Sequence, residues 1–221
     1  MLPRSKNLLE KPVSNAFAVQ LSQMVITAIK QQLKLTDRYS IFIDDRFCFS
    51  LSSQKLLEQK LYKGQIIEQL QLKALQKIAA NDKLYARALS YCTSRLHSQK
   101  EVDIYLERKQ ADANARQDII NRLKQLGLVD DTVFARTWIN NRQLRSFSQR
   151  RIIQELRQKG VEDSIISEVT SAGGSNDEAA ITEIVRKKRQ QSKYANDDLR
   201  LMRYLAQQGF DYSSIKKAVK G

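Results

Sequence analysis

Three stretches, VDIYLERKQA at 102–111, IIQELRQKGV at 152–161 and LMRYLAQQGF at 201–210, align without a gap, and their reading decides the architecture. Val102, Ile152 and Leu201 fall in register; so do Leu106, Leu156 and Leu205 four residues on, and then Lys109, Lys159 and Gln208. Apolar residues four apart share one face of a helix. A helical unit that recurs about every fifty residues cannot close its own core, so successive copies must stack. Upstream, Tyr85-Ala86-Arg87-Ala88, Phe134-Ala135-Arg136-Thr137 and Ala179-Ala180-Ile181-Thr182 mark the start of each copy.

Each copy reads as three helices. In the first, a helix over 84–95 leads to Ser98-Gln99-Lys100-Glu101, a capping box in which serine and glutamate each satisfy a free amide. The second helix ends near Lys109, and the third runs from about Ala113 to Leu126 and stops at Gly127. The second copy opens with Asp130 or Asp131 as N-cap and buries Phe134 and Trp138, four apart on one face. Ser148 caps its middle helix, Gly160 ends it, and the last helix finishes at Gly173-Gly174. The third copy starts at Asn176 or Asp177, breaks around 192–196, has Gly209 after its second helix and closes with a short helix over 212–219.

Ahead of the repeats the pattern changes. Residues 1–22 hold no sustained period and read as a loosely ordered tail. Val25 to Ile29, Tyr39 to Ile43 and Phe47 to Leu51 are β-branched and aromatic runs, and Asp44-Asp45-Arg46 between the last two supplies a hairpin turn. Ser52 or Ser53 caps a short helix through Gln59, Lys63-Gly64 interrupts it, and a helix over 67–80 covers the sheet, because three strands alone are marginal in water. The expected fold is therefore mainly α: tandem three-helix repeats in an elongated curved array, with a small N-terminal β-hairpin or three-stranded subdomain. The expected boundaries are 1–22 for the tail, 23–80 for the β-containing domain, and 81–130, 131–174 and 175–221 for the repeats.

Composition agrees. With seven glycines, two prolines and 7% aromatic residues in 221, the chain is a poor candidate for an all-β body. Residues 12–29 carry no charge, yet Ser14, Asn15, Gln20, Ser22, Gln23 and Thr27 make them too polar to span a bilayer, and no apolar segment precedes them as a signal core. Cys48 and Cys92 stand alone, without the spacing of a disulfide framework or a zinc site. A cytoplasmic protein with no membrane partner is expected.

The net charge of +14 makes polyanions the first partner class to consider, single- or double-stranded DNA among them. Its placement is uneven. Arg136, Arg142, Arg145, Arg150, Arg151, Arg157 and Lys159 face one acid, Glu155; Arg186, Lys187, Lys188, Arg189, Lys193, Arg200 and Arg203 face Asp197 and Asp198. The first repeat is nearly balanced, with nine bases and seven acids over 81–130. Arginine forks suit phosphate or carboxylate oxygens, so the middle and last repeats hold the candidate binding residues.

Catalysis is hard to build from this inventory. His97, the one histidine, sits in a helix-to-helix turn where a surface or capping role is expected. Asp44-Asp45 and Asp130-Asp131 resemble metal-nuclease doublets, but each has a turn or capping explanation, and no glycine-rich phosphate loop is present. The reading is of a binding protein without cofactor, metal or small-molecule substrate.

Leu126-Gly127-Leu128-Val129-Asp130-Asp131-Thr132-Val133-Phe134-Ala135-Arg136, with Trp138 and Arg142 just beyond, resembles the signature of the RecX regulators of the RecA recombinase. Ser98 to Val102, Ile152 to Val161 and Gln208-Gly209-Phe210 match the flanking pattern, so the likeness covers 84–221. Two positions depart from it: Gln110 and the Ser146-Phe147-Ser148 turn lack the glycine the pattern leads one to expect. The resemblance implies a cytosolic bacterial protein that binds RecA filaments on DNA along their groove and restrains ATP hydrolysis and strand exchange. On that reading the arginine clusters make the contacts, while Asp130, Asp131, Phe134, Trp138, Leu106, Leu156 and Leu205 hold the fold. The alternatives are a nucleic-acid-binding helical-repeat protein with no recombinase partner and, more remotely, a metal-dependent nuclease.

Overall fold

The computed structural model describes residues 24–173 and 177–220, so the expectation of a loose tail over 1–22 lies outside the described residues. The chain divides after Ala80 into two compact units.

The first unit is built on strands β1 (Met24–Gln31), β2 (Arg38–Ile43) and β3 (Arg46–Ser52), with helix α1 (Ser53–Glu58) and a two-residue strand β4 (Ile66–Ile67). The sheet is antiparallel and has four strands in the order β3-β2-β1-β4, one more than the sequence pattern suggests. Two residues are too few to show a period, which is why Ile67 reads as the start of a helix and Ile66 as part of the turn before it. Asp44 and Asp45 adopt φ of 47° and 62°, the paired left-handed conformation of a tight hairpin turn. Val25 N–H also donates to the Asp44 carboxylate, so the doublet serves the turn. Ile26, Ile41, Phe49, Leu51 and Ile67 form the core with Leu72, Leu75 and Ala79 of helix α2 (Gln69–Ser94).

Helix α2 corrects a second expectation. Separate helices expected over 67–80 and 84–95 are one helix of 26 residues, Gln69–Ser94. Asn81-Asp82 looks like a boundary, yet no glycine or proline occurs between Gln65 and Leu126 to break the helix.

The second unit holds α3 (Gln99–Arg108), α4 (Ala113–Gln125), α5 (Asp131–Leu144), α6 (Gln149–Gln158), α7 (Asp163–Gly173), α8 (Asp177–Arg189), α9 (Ser192–Ala195), α10 (Asp198–Gln207) and α11 (Tyr212–Lys220). The expected break at 192–196 contains the single turn α9. Leu106, Leu156 and Leu205 are fully buried, as are Val102 and Leu201, with Ile152 at 1% exposure. Contrary to the expectation that one copy cannot close its own core, each repeat closes its own cluster around them, because its three helices suffice to cover the anchor residues. The Ser98–Glu101 capping box is formed, and Ser148 caps α6.

The joints between repeats obey one rule. The second helices meet head to tail: Ser98 Oγ donates to the carbonyl of Lys159 at the end of α6 (2.7 Å), and Ser148 N–H donates to the carbonyl of Gln208 at the end of α10 (3.0 Å). Opposite poles of the helix dipoles thus face each other. The aspartate that begins the first helix of the next repeat completes each joint. Asp131 accepts from Gln99 N–H at 2.8 Å and Asp177 from Gln149 N–H at 3.2 Å. Glycine is required where the ends touch. Gly160 has φ of +77°, and a Cβ there would stand 2.6 Å from Lys100 Cβ; at Gly209, φ +91°, it would stand 2.7 Å from Arg151 Cβ.

Candidate polyanion interface

The middle repeat arranges its arginines around its one acid. Glu155, on α6 and one-fifth exposed, accepts from Arg142 Nε (2.6 Å), Arg151 Nε (3.4 Å) and Trp138 Nε1 (3.0 Å). Both guanidinium groups also lie over aromatic faces: Arg142 is 4.3 Å from the Trp138 ring centre, and Arg151 is 4.0 Å from that of Phe147. Arg151 further donates to the carbonyl of Gln207 in the next repeat. Trp138 stacks on buried Phe134 at 5.5 Å. Partly desolvated, hydrogen-bonded and stacked, Arg142 and Arg151 act as framework. Glu155 and Phe147 were not singled out by sequence reasoning, although a lone acid among seven bases was the available signal.

Four other basic residues of this repeat point outward. Arg136 pairs with Glu168 (3.3 Å) and Arg157 with Asp163 (2.7 Å), all four side chains being more than 60% exposed. Arg145 and Arg150 are exposed and make no side-chain ion pair among the described residues. Such surface pairs are worth little and yield readily to a stronger anion.

The last repeat divides the same way. Arg189 bridges Asp198 (2.6 Å) and the carbonyls of Ala195 and Val219, and Lys188 lies 4.5 Å above the ring of Tyr204. These two tie the repeat together. Arg186 and Lys187 share the exposed Glu183, whose carboxyl they hold down to about 2 through hydrogen bonds. Lys193 is exposed, with its ammonium 5.1 Å from the Tyr194 ring centre.

Asp130 and Asp131 have separate tasks. Asp130 is the N-cap of α5, accepting from Thr132 and Val133 N–H, whereas Asp131 serves the first joint. Burial pushes the Asp131 carboxyl up, against the Gln99 hydrogen bond that lowers it. Nearby, burial raises the Glu101 carboxyl, but hydrogen bonds from Lys159 (2.6 Å) and Arg95 outweigh it and leave it below its usual range. His97 is not at the surface: it is 2% exposed, stacks on Tyr91 at 3.7 Å, and places Nδ1 3.4 Å from Glu101. Among the described residues no group of three or more His, Cys, Asp or Glu could hold a metal, and no helix is long and apolar enough to cross a membrane.

The model of the regulatory protein RecX N-terminal domain matches residues 24–68, that of the first RecX three-helix domain 85–123 and that of the second 130–169. A regulatory protein RecX of Clostridium acetobutylicum is 30% identical over 211 residues, covering 90% of this chain and 97% of the relative. That of Bacillus subtilis is 28% identical over 199 residues, covering 88% and 75%. A crystal structure of a regulatory protein RecX superposes with a TM-score of 0.69 at 22% identity, over 89% of this chain and 98% of the other. One from Lactobacillus salivarius gives 0.53 at 22% identity, over 64% and 95%.

Proposed function

The chain belongs to the RecX family of regulatory proteins, and from that premise we propose that it acts in the cytoplasm on RecA filaments assembled on DNA, restraining their ATP hydrolysis and strand exchange. The observation that carries the reading is the division of the arginines. Arg142, Arg151, Lys188 and Arg189 are committed internally, while Arg136, Arg145, Arg150, Arg157, Arg186, Lys187 and Lys193 present their charge to solvent across two successive repeats. A set of exposed cations spread over successive repeats gains affinity from many modest contacts, which suits a repeating polyanionic or nucleoprotein partner better than a compact ligand. No step of bond making or breaking is needed for a protein to work this way, so the reading is of a regulator and not an enzyme.

The test is single-stranded-DNA-dependent ATP hydrolysis by the cognate RecA, titrated with this protein at two salt concentrations. Suppression at well under one molecule per recombinase subunit is the expected result. Unchanged hydrolysis, with salt-sensitive DNA binding intact, would replace the reading with a plain nucleic-acid binder.

A further inference from the structure

The open face of the N-terminal sheet plays no part in the proposed arginine contacts, and its chemistry is specific. One face of the sheet is consumed by the core against α1 and α2. On the other, Phe42 of β2 lies directly opposite Phe47 of β3, edge to face at 6.0 Å between ring centres. Phe47 is 60% exposed, on a strand that forms one edge of the sheet. Lys30 of β1 holds its ammonium 5.2 Å above the Phe42 ring. The pairing of β2 with β3 slips by one residue between Ile41 and Phe42. That bulge sets the two rings against each other, as bulges often re-aim side chains at binding sites.

Charge and polarity complete the surface. Lys30 is the exposed cation of this face, Arg38 is buried in it, and Arg46 shares the other face with Ile43; β1, β2 and β3 contain no acidic residue, the hairpin turn between β2 and β3 carrying Asp44 and Asp45. Ser40 and Ser50 pair across the same face as Phe42 and Phe47, and Arg38 donates to the Ser50 carbonyl there. An exposed phenylalanine alone is ordinary. Flat rings at the solvent side of the sheet, with the Lys30 ammonium beside them, form what a single strand needs: a π-face for an unstacked base and positive charge for a phosphate. An apolar protein segment would gain nothing from the lysine above the ring, and a duplex hides its bases from it. We infer that this face is a stacking platform for single-stranded nucleic acid, with Phe47 and Phe42 receiving bases and Lys30 receiving a phosphate. The platform is made of different residues from the outward arginines of the repeats.

The experiment uses the full chain without any recombinase. Binding of a fluorescent oligothymidylate, of the same strand made abasic, and of a duplex is measured by anisotropy across a salt series. Phe47→Ala should weaken oligothymidylate binding about tenfold, the loss of roughly one stacked base, and leave the abasic strand and the duplex unchanged. Phe47→Trp should restore it. Lys30→Ala should lower the salt slope by about one contact. Oligothymidylate binding that is untouched by Phe47→Ala, or that falls equally for the abasic strand, overturns the assignment, as does failure of the wild-type chain to bind the strand. Loss of recombinase inhibition in Phe47→Ala with strand binding intact also overturns it, because the face would then contact protein. The ATP-hydrolysis test has an independent readout, so either conclusion can fail without the other.

Discussion

Gly160→Ala is the sharpest test of the head-to-tail joints. Two costs meet at this position. The left-handed conformation at φ +77° penalises any Cβ by roughly 1–2 kcal/mol, offset in part by the lower unfolded-state entropy of alanine. The new Cβ would also stand 2.6 Å from Lys100 Cβ, an atom close to the backbone of α3 that a rotamer change cannot withdraw. Forcing a methyl into a closed contact adds about 1–3 kcal/mol. The total expected is about 2–4 kcal/mol. Gly127→Ala isolates the first cost, since φ there is +68° and nothing lies within 4 Å of the added atom; about 1 kcal/mol is expected. Urea unfolding monitored by the single tryptophan measures both, and the probe is well placed because the Lys159 ammonium lies 5.1 Å above the Trp138 ring. In a Lys100→Gly background the excess cost of Gly160→Ala should disappear. Equal losses at 127 and 160 would mean that α6 and α3 do not touch as described.

Glu155→Gln should destabilise the middle repeat by about 2 kcal/mol and red-shift Trp138 emission, since two guanidinium groups and the indole N–H lose an ionised acceptor. Double charge reversal at Arg145 and Arg150 should leave the urea midpoint unchanged while lowering the salt slope of DNA binding by about two contacts; reversal at Arg142 and Arg151 should instead unfold the repeat. Burial holds His97 below the ordinary histidine value of 6.5, helped by Arg95 and opposed by Glu101. The neutral form is therefore the one that folds: its contribution is complete above pH 6.5 and is lost as pH falls below that value. A urea midpoint that drops as the pH is lowered below 6.5 in the wild type, and drops less in His97→Phe, is the expected outcome.

What could be read from the sequence was whatever repeats or carries its own local signal. The anchor leucines, the Ser98–Glu101 capping box, the Asp44-Asp45 turn and the left-handed helix end at Gly127 arise from short-range rules; Gly160 and Gly209 are legible as helix ends, but their contacts with the neighbouring repeat are not. What could not be read depends on partners distant in the chain. Asp131 looks like a local cap because its neighbour Asp130 is one, yet its acceptor oxygen is used 32 residues upstream. Ile66-Ile67 is a strand only because β1 offers an edge, and α2 runs unbroken because nothing in its sequence stops it. In the candidate interface the charge density of the arginine cluster was visible, but its division was not. Charge counts cannot separate an arginine stacked over Trp138 from one exposed at the end of α5.

The two departures from the repeat pattern obey the same geometry. Gln110 holds the position of Gly160 and Gly209, and it too is left-handed, at φ +61°. The difference lies in the neighbour each helix end meets. The ends of α6 and α10 abut the starts of α3 and α6, where a Cβ has no room, whereas no described second helix precedes α3 to receive the end of that helix. Only conformational cost remains there, and a glutamine bears it. Ser146, at φ +62° in the turn before α6, is a second such case. Gln110→Gly should therefore stabilise the first repeat slightly, by about 0.5 kcal/mol, because relief of left-handed strain slightly exceeds the added unfolded-state entropy. Gly160→Gln, which places the same residue where the helix ends touch, should cost at least as much as Gly160→Ala, and urea unfolding of the two exchanges side by side settles the point. A destabilising Gln110→Gly would show that the glutamine side chain itself contributes to the end of α3, and that glycine in this pattern marks something other than contact.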